Sequence, residues 1–236
     1  MGITKRQAKI LNRVVEEYID LAEPVSSQLL EKKHDFGICP ATIRIEMQRL
    51  TDLGFIFQPH TSAGRVPTDR GYRFFVDNLL KKGISEFEDV FEIEDIFQEA
   101  RRDIFKLASR LTKFLAEESS SFTILNLLER DFLLKEGWEK ILQEPEFEEK
   151  DLISDFTELL ESFEENIRNF KINSGIKIYI GRENPLPKAK NFSIISSKCC
   201  LPDEEEAILS LLGPKRMAYD KNISLINSLT KLLEKL

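Results

Sequence analysis

A short polar helix face carries the residues whose types and spacing best suit chemistry. In the segment that begins at Pro40, the apolar residues Ile43, Met47 and Leu50 recur at helical spacing and must face a core. The residues between them point elsewhere and include guanidinium and amide groups, which can each make two hydrogen bonds to a base edge. The candidates on this face are Thr42, Arg44, Ile45, Gln48 and Arg49. A recognition helix for double-stranded DNA and an ordinary solvated helix face would both give this pattern.

The polar segment from Gln58 to Gly64 and the residue after it form a second candidate contact surface. The segment offers hydroxyls, backbone N–H groups and one guanidinium, which suit phosphate contact or entry into the minor groove. A hairpin tip that is merely polar would look the same. The candidates here are His60, Thr61, Ser62, Gly64 and Arg65. Lys32 and Lys33, at the end of an earlier predicted helix, are either further phosphate contacts or partners of the helix dipole.

Four predicted helices and a short hairpin position these residues. Thr4 is a suitable N-cap for the first helix, Ser26 or Ser27 for the second, and Thr68 for the fourth. Pro40 suits the first position of the third helix. The predicted strands of the hairpin are 55–57 and 65–66. The order helix, short helix, turn, helix, hairpin, helix is typical of the winged-helix variant of helix-turn-helix.

The stretch that carries these candidates resembles a known family. Residues 58–72, QPHTSAGRVPTDRGY, and the preceding Ala41-Thr42-Ile43-Arg44 are similar to the HrcA-type heat-inducible transcription repressors of bacteria. Further segments that resemble motifs of this family are 142–147, 177–186 and 212–219. The chain is therefore identified as a shortened member of that family, with the resemblance covering residues 1–82 and 140–236.

The resemblance implies a sequence-specific repressor of chaperone genes that binds an inverted-repeat operator as a homodimer. It implies an α+β protein with an N-terminal winged helix-turn-helix domain over residues 1–82. Residues 83–236 are then expected to hold a helical linker and a reduced GAF-like α/β domain that dimerises. A dimer of this kind places its two recognition helices about 34 Å apart, or at a multiple of that distance, in successive major grooves. A contact with a chaperonin is also implied by the family.

The chain departs from the family in three places. Family members are longer between the helix ending near Glu118 and the segment near Leu127, where they carry half of the GAF-like domain and an inserted dimerising subdomain. We therefore expect either a remnant of that fold or a different mode of oligomerisation. Ile45 stands where the family usually has Asn, which removes a bidentate adenine reader and predicts an altered sequence preference. Cys39 stands where a Ser would cap the third helix, and Cys is a poor N-cap.

The second half of the chain is predicted to begin with helices and continue with strands. The predicted helices are 85–118, 151–170 and one from Lys221, and the predicted strands are 176–180, 192–196 and 207–212. The apolar stripes of these helices belong to a core or, as a second interpretation, to a dimer interface. No cofactor motif accompanies the GAF-like segment, and Cys199 and Cys200 are expected to be inert.

Charge is distributed unevenly along the 236 residues, which carry a formal net charge of −7. Residues 1–82 contain 13 Lys and Arg against 10 Asp and Glu, whereas residues 83–236 contain 21 against 31. A mildly basic segment 1–82 before an acidic segment 83–236 indicates a nucleic-acid partner, although an excess of three positive charges also arises by chance. If residues 1–82 bind DNA, their affinity must come from a few arginines at specific positions and from pairing of two subunits.

Several classes of protein are excluded by the residues that are present. Three Cys and two His, with no CxxC or paired-His spacing, make neither a disulfide framework nor a zinc site. No phosphate-binding loop, Gly-rich nucleotide turn or nucleophile signature occurs, so we expect no enzyme, cofactor or metal. Without a membrane-length apolar stretch or signal peptide, the expected location is the cytoplasm, and the resemblance to bacterial repressors implies a place at the nucleoid. Two alternatives stay open: a related DNA-binding regulator with a different regulon, or one without operator binding, and a winged-helix module that binds proteins.

Overall fold

The computed structural model describes residues 2–87, 93, 95–98, 103–167 and 175–233. These residues fold as two units, unit 1 from Met1 to Gly83 and unit 2 from Ile84 to Leu236. Unit 1 is mainly helical with one small hairpin, and unit 2 is built around a sheet. Within the described ranges, no helix has both the length and the apolar character needed to cross a membrane.

Unit 1 contains four helices and a two-stranded hairpin. Its elements are α1 (Lys5–Leu21), α2 (Ser27–Lys33), α3 (Pro40–Asp52), β1 (Ile56–Phe57), β2 (Val66–Pro67) and α4 (Asp69–Lys82). The predicted side-chain caps are confirmed. The hydroxyl of Thr4 accepts from Gln7 N, that of Ser26 from Leu29 N, and that of Thr68 from Gly71 N. The helices α1, α2 and α4 therefore begin where a hydroxyl satisfies a backbone N–H that the helix itself leaves unpaired.

The helix α3 begins without such a cap. Pro40 occupies its first turn as predicted, and Cys39 at the N-cap position makes no side-chain hydrogen bond to the helix backbone. The Cys39 thiol instead lies 3.4 Å from the hydroxyl of Thr42. The stability of α3 therefore comes from its buried face, where Ile43 and Leu50 are fully buried and the helix packs against α1 and α2.

Unit 2 is a five-stranded sheet with helices on both faces. Its elements are α5 (Ile104–Ser119), β3 (Phe122–Leu127), β4 (Phe132–Glu136), α6 (Trp138–Ile141), α7 (Lys150–Asn166), β5 (Ile176–Ile180), β6 (Phe192–Leu201), β7 (Glu205–Pro214) and α8 (Tyr219–Leu233). The strand order is β4-β3-β7-β6-β5, and every neighbouring pair is antiparallel. This arrangement is consistent with a GAF-like domain.

Both faces of the sheet are buried. On one face, Phe156 of α7 packs against Phe122 of β3 and Phe192 of β6, with ring centroids 5.8 and 5.1 Å apart. On the other face, Ser193 of β6 and Tyr219 of α8 are joined by a hydrogen bond of 2.7 Å between their hydroxyls. The central strands consequently carry apolar residues on both faces and lack the alternation that marks a half-exposed strand.

Two of the helices predicted for unit 2 have different bounds. The segment 85–118 is helical at residues 93, 95–98 and 104–118, as predicted, but it is not one continuous helix, because residues 85–87 and Asp103 are not helical. The carboxylate of Asp103 accepts from Phe105 N and Lys106 N, which starts a new helix there. Residues 88–92, 94 and 99–102 of that prediction lie outside the described residues, as do residues 168–170 of the helix predicted to end at Phe170.

The short segment at which the chain departs from the length of the family contains a strand. Residues 122–127 form β3, every residue of which is buried, between β4 and β7 in the sheet. Its register pairs Leu125 with Leu209 on one side and with Leu134 on the other. The segment therefore supplies an inner strand of the five-stranded sheet.

Candidate nucleic-acid interface

A groove of about 470 Å³ lies between the start of α2, the exposed side of α3 and the hairpin loop, residues 58–65. Six of the predicted contact residues line it together: Arg44, Gln48, Thr61, Ser62, Gly64 and Arg65. Among the described residues that line the groove there are two arginines and no carboxylate. The groove is therefore chemically suited to an anion.

Arg65 is held at both its backbone and its side chain. Its backbone exchanges two hydrogen bonds with Val25, with N–O distances of 2.9 and 2.8 Å. Its Nε donates to the hydroxyl of Thr51 and a terminal nitrogen donates to the Gln48 carbonyl oxygen, both at 3.0 Å. The guanidinium consequently has a fixed position at the wall of the groove.

Gly64 allows the hairpin loop to approach the α1–α2 connection this closely. A Cβ atom at Gly64 would lie 2.4 Å from the carbonyl oxygen of Val25 and 2.5 Å from that of Pro24. Both obstacles are backbone atoms, which cannot rotate away as a side chain could. The position therefore requires glycine for packing.

Two positive charges converge on the groove. Partial burial lowers the pKa of Arg65 below its usual value, and the positive charge of Arg44 lowers it further. A guanidinium remains protonated under any ordinary condition, so the charge of Arg65 persists although it is partly buried and is repelled by that of Arg44. An anion bound between them would relieve that repulsion, and a phosphate also matches the geometry of guanidinium donors.

Gln58 fixes the shape of the hairpin loop. Its side-chain nitrogen donates to the backbone oxygens of Thr61 and Ala63, each at 2.9 Å. Thr61 and Ser62 are exposed at the groove, whereas His60 is exposed but does not line it. The loop therefore presents its hydroxyls in one fixed arrangement.

The remaining α3 candidates lie on the exposed side of the helix, outside the groove. Ile45 is 54% exposed, Arg49 is exposed and Thr42 is half-buried. Arg49 donates to Glu46 at 2.9 Å, and the buried Glu46 also accepts from Gln7 at 2.9 Å. Part of the donor capacity of Arg49 is therefore used within the protein.

The two candidate lysines of α2 lie away from the groove and differ from each other. Lys32 is exposed, whereas Lys33 donates to the buried carboxylate of Glu17 at 2.6 Å. His34 Nε2 lies 2.8 Å from the other oxygen of Glu17. Burial alone would raise the pKa of Glu17, but the hydrogen bonds from Lys33 and His34 outweigh it and lower that pKa overall. Lys33 therefore serves to attach α2 to α1.

Four polar groove residues were not predicted as contacts from the sequence. They are Ser26, Ser27, Gln28 and Gln58. Ser26 and Ser27 have a local signal, but that signal indicates a helix cap and gives no hint of a surface. Their position beside the hairpin loop depends on the bridge between Val25 and Arg65, which joins residues distant in sequence.

Two of the unit 2 segments that resemble family motifs contact each other, and the third forms a turn. Arg216 donates to both oxygens of Glu146, at 2.6 and 3.0 Å, and also to Glu144. This cluster joins residues 142–147 to residues 212–219. Asn184 is buried and accepts from Leu186 N at 3.0 Å, which fixes a turn after β5.

The buried Cys199 thiol and the acidic residues of the described part of the chain form no reactive or metal-binding centre. Burial raises the pKa of the Cys199 thiol to about 12, and its neighbour Cys200 adds to the shift, so the reactive thiolate is disfavoured. Across the ranges that the structure describes, no group of three His, Cys, Asp or Glu side chains could hold a metal ion.

The family model for the HrcA protein C-terminal domain matches residues 69–223, which is more than half of the chain. The chain belongs to the HrcA family. It is 27% identical over 333 aligned positions to the heat-inducible transcription repressor HrcA of Brevibacillus brevis, covering 99% of this chain and 98% of the relative. It is 38% identical over 112 residues to that of Acetivibrio thermocellus, covering 48% of this chain and 32% of the relative.

Two features of these matches bear on the structure. The alignment with the Brevibacillus brevis HrcA runs over 333 positions although this chain has 236 residues, so a long part of that HrcA has no counterpart here. A crystal structure described as that of a hypothetical protein matches with a TM-score of 0.77 at 20% identity, covering 99% of this chain and 97% of the other. The α+β fold is therefore shared with a solved structure.

Proposed function

We propose that this HrcA-family chain represses transcription by binding double-stranded DNA with unit 1. Membership of the family indicates a regulator rather than an enzyme, and its relatives are called heat-inducible transcription repressors. The observation that carries the proposal is the groove, in which Arg44 and Arg65 converge with hydroxyl and amide groups and no carboxylate. The order of α1, α2, α3, hairpin and α4 supports a winged-helix domain, with the hairpin as its wing.

The geometry of α3 suits entry into the major groove. Its buried face packs on α1 and α2, which leaves Arg44, Ile45 and Arg49 on the exposed side. Arg44 would donate to a guanine edge or a flanking phosphate, and Ile45 would contact a thymine methyl group. Thr61, Ser62 and Arg65 of the hairpin loop would then contact the backbone beside the site. Phosphate contacts of this kind set the register, while the α3 residues select the sequence.

We further propose a homodimer on an inverted repeat upstream of chaperone genes, in the bacterial cytoplasm at the nucleoid. The relatives' heat-inducible character supports chaperone genes as the targets. Two-fold pairing supplies affinity that a mildly basic unit 1 lacks by itself, because a dimer doubles the number of phosphate contacts. Unit 2, with its complete sheet, is the body proposed to dimerise and to contact a chaperonin.

A gel-shift experiment with the full chain tests this function. The probe is a palindromic chaperone-promoter fragment at several salt concentrations, with a scrambled duplex of the same composition as the control. We expect a shift of the palindrome at low salt that weakens as salt rises, because bound phosphates release counterions. No shift at low salt would contradict the proposal and favour the module that binds proteins.

A further inference from the structure

The side-chain amide of Gln48 is bonded at both of its ends. Its oxygen accepts from Arg65 at 3.0 Å, and its nitrogen donates to a carboxylate oxygen of Asp52 at 2.9 Å. A guanidinium can only donate and a carboxylate can only accept, so these two partners fix which end of the amide faces which neighbour. Gln48 would need the same oxygen and nitrogen to bind adenine in a bidentate manner.

Arg65 has a second anchor on the same helix. Its Nε donates to the Thr51 hydroxyl, which in turn donates to the backbone oxygen of Met47 at 3.0 Å. A guanidinium has five N–H donors, and these anchors use two of them. The other three remain for a ligand at the groove wall that Arg65 forms.

We propose that Gln48 is a positioning residue for Arg65 in the DNA-binding site and does not contact a base. This inference rests on the proposed function. The connected side chains of Asp52, Gln48 and Arg65 hold the guanidinium against α3, where it meets a phosphate oxygen of the bound strand. Holding a long side chain in place before binding avoids the loss of rotamer freedom that would otherwise oppose binding. Selection of bases then falls to Arg44 and Ile45.

A positioning role and a base-contact role predict different behaviour. If Gln48 positions Arg65, Gln48→Ala should weaken binding about fivefold on every duplex, the cost of immobilising one long side chain at the moment of binding. Arg65→Ala should weaken binding by about tenfold or more, the effect of a hydrogen bond to a charged group. The variant that carries both changes should bind as Arg65→Ala does, because Gln48 then has nothing to position.

The DNA experiment uses the full chain as wild type, the two single variants and the double variant. Gln143→Ala, an exposed glutamine of unit 2, is the matched control. Each protein selects from a random duplex pool and is then titrated on the selected and on a scrambled duplex. We expect wild type and Gln48→Ala to select the same sequence. We also expect the losses of affinity in the two single variants not to add in the double variant. Loss of preference at a single base pair in Gln48→Ala, or additive effects of the two changes, would overturn the proposal.

A measurement on the free protein separates this inference from the proposed function. In a ¹⁵N NMR experiment on the Arg65 guanidinium, water exchange of the terminal N–H protons, one of which donates to Gln48, should be slow in wild type and several-fold faster in Gln48→Ala. An unchanged exchange rate would overturn the positioning role even where DNA binds. Wild type that binds no DNA at low salt would overturn the proposed function, whereas the exchange rates would still decide whether Gln48 holds Arg65.

Discussion

Val25 and Arg65 exchange two backbone hydrogen bonds although 39 residues separate them in the chain, with N–O distances of 2.9 and 2.8 Å. This bridge attaches the hairpin loop to the connection between α1 and α2. It brings Ser26, Ser27 and the loop hydroxyls to one groove. The candidate interface therefore depends on a contact that can be tested by itself.

Gly64→Ala should break that attachment. The new methyl group would lie 2.4 Å from the Val25 carbonyl oxygen, so the loop must move away. We expect the free energy of unfolding to fall by about 2 kcal/mol, which is typical of overpacking, and DNA binding to weaken. Urea denaturation measures the first effect and duplex titration the second. Gly2→Ala is the control, because nothing lies within 4 Å of its added atom. Identical stability of both variants would contradict this account of Gly64.

Arg44→Ala and Arg65→Ala should differ in what they change. Arg65→Ala should weaken binding on all sequences and reduce the salt slope by about one unit, because it removes a phosphate contact. Arg44→Ala should cost about 1–3 kcal/mol of discrimination at one base pair. Titrations on specific and random duplexes at several salt concentrations measure both quantities. Equal losses by the two variants on both kinds of DNA would show that this division is wrong.

Ile45→Asn should change the sequence that the protein selects. The apolar Ile45 is exposed on α3, and the HrcA-type pattern usually has Asn there. Asparagine can bind adenine in a bidentate manner, which is worth about 1–3 kcal/mol against another base. Selection from random DNA should therefore give the variant an adenine that wild type does not require. Wild type that already selects the unaltered family palindrome at full stringency would contradict this prediction.

Glu17→Gln should destabilise the protein in a pH-dependent manner. The folded-state pKa of Glu17 lies below its ordinary value of 4.5, because the hydrogen bonds from Lys33 and His34 outweigh burial. A lowered pKa contributes stability above the unfolded-state pKa and loses it as the pH falls through the folded-state pKa. We expect wild type to exceed the variant by about 2 kcal/mol at neutral pH, from hydrogen bonds to a charged group.

Denaturation curves at a series of pH values check the Glu17 prediction. The difference between wild type and Glu17→Gln should persist down to about pH 4.5 and shrink only below it. A difference that stays constant from neutral pH into strong acid would show that the charge of Glu17 is not what holds Lys33 and His34.

Arg216→Ala should destabilise unit 2. Only 11% of the Arg216 side chain is exposed, and its removal leaves Glu144 and Glu146 facing each other without a cation. Breaking a mostly buried ion pair in this way costs about 3 kcal/mol. Lys135→Ala is the control, because its pair with Glu164 is largely exposed and contributes under about 1 kcal/mol. Thermal denaturation of the two variants should therefore differ clearly, and equal melting temperatures would contradict the role given to Arg216.

The sequence predicts the helices of unit 1 well because their signals are local. Thr4, Ser26 and Thr68 each bond a backbone N–H three residues ahead, so the start of each helix is encoded within one turn. The strand β2 begins one residue later than predicted, because Arg65 pairs with Val25 and not within the hairpin. That pairing depends on the tertiary fold and has no local signal.

The strands of unit 2 are harder to predict for a physical reason. Residues 122–127 are buried on both faces, so they lack the two-residue alternation that identifies a strand. The strands β6 and β7 extend past their predicted ends through polar positions, where Lys198 donates to Glu206 at 2.6 Å. Such cross-strand partners are known only once the sheet has formed.

The sequence predicts which residue types could form the groove, but it does not predict how they come together. Arg44 and Arg65 stand out in the sequence by residue type, but their convergence depends on how the hairpin loop lies against α3. The same arrangement gives Gln48 two partners within the protein, which its position on a helix face could not reveal. Residue type therefore predicts which groups can bind DNA, and the tertiary contacts decide which of them are available.

One titration decides whether unit 1 binds operator DNA through the groove that Arg44 and Arg65 line. Fluorescence anisotropy with a labelled inverted-repeat duplex compares the full-length wild type with the variant that carries both Arg44→Ala and Arg65→Ala. We expect wild type to bind the inverted-repeat duplex tightly, in a salt-dependent manner, and in preference to a scrambled duplex. The double variant should lose both the tight binding and the preference. Equal binding by the two proteins, or no binding by wild type at low salt, would contradict this expectation.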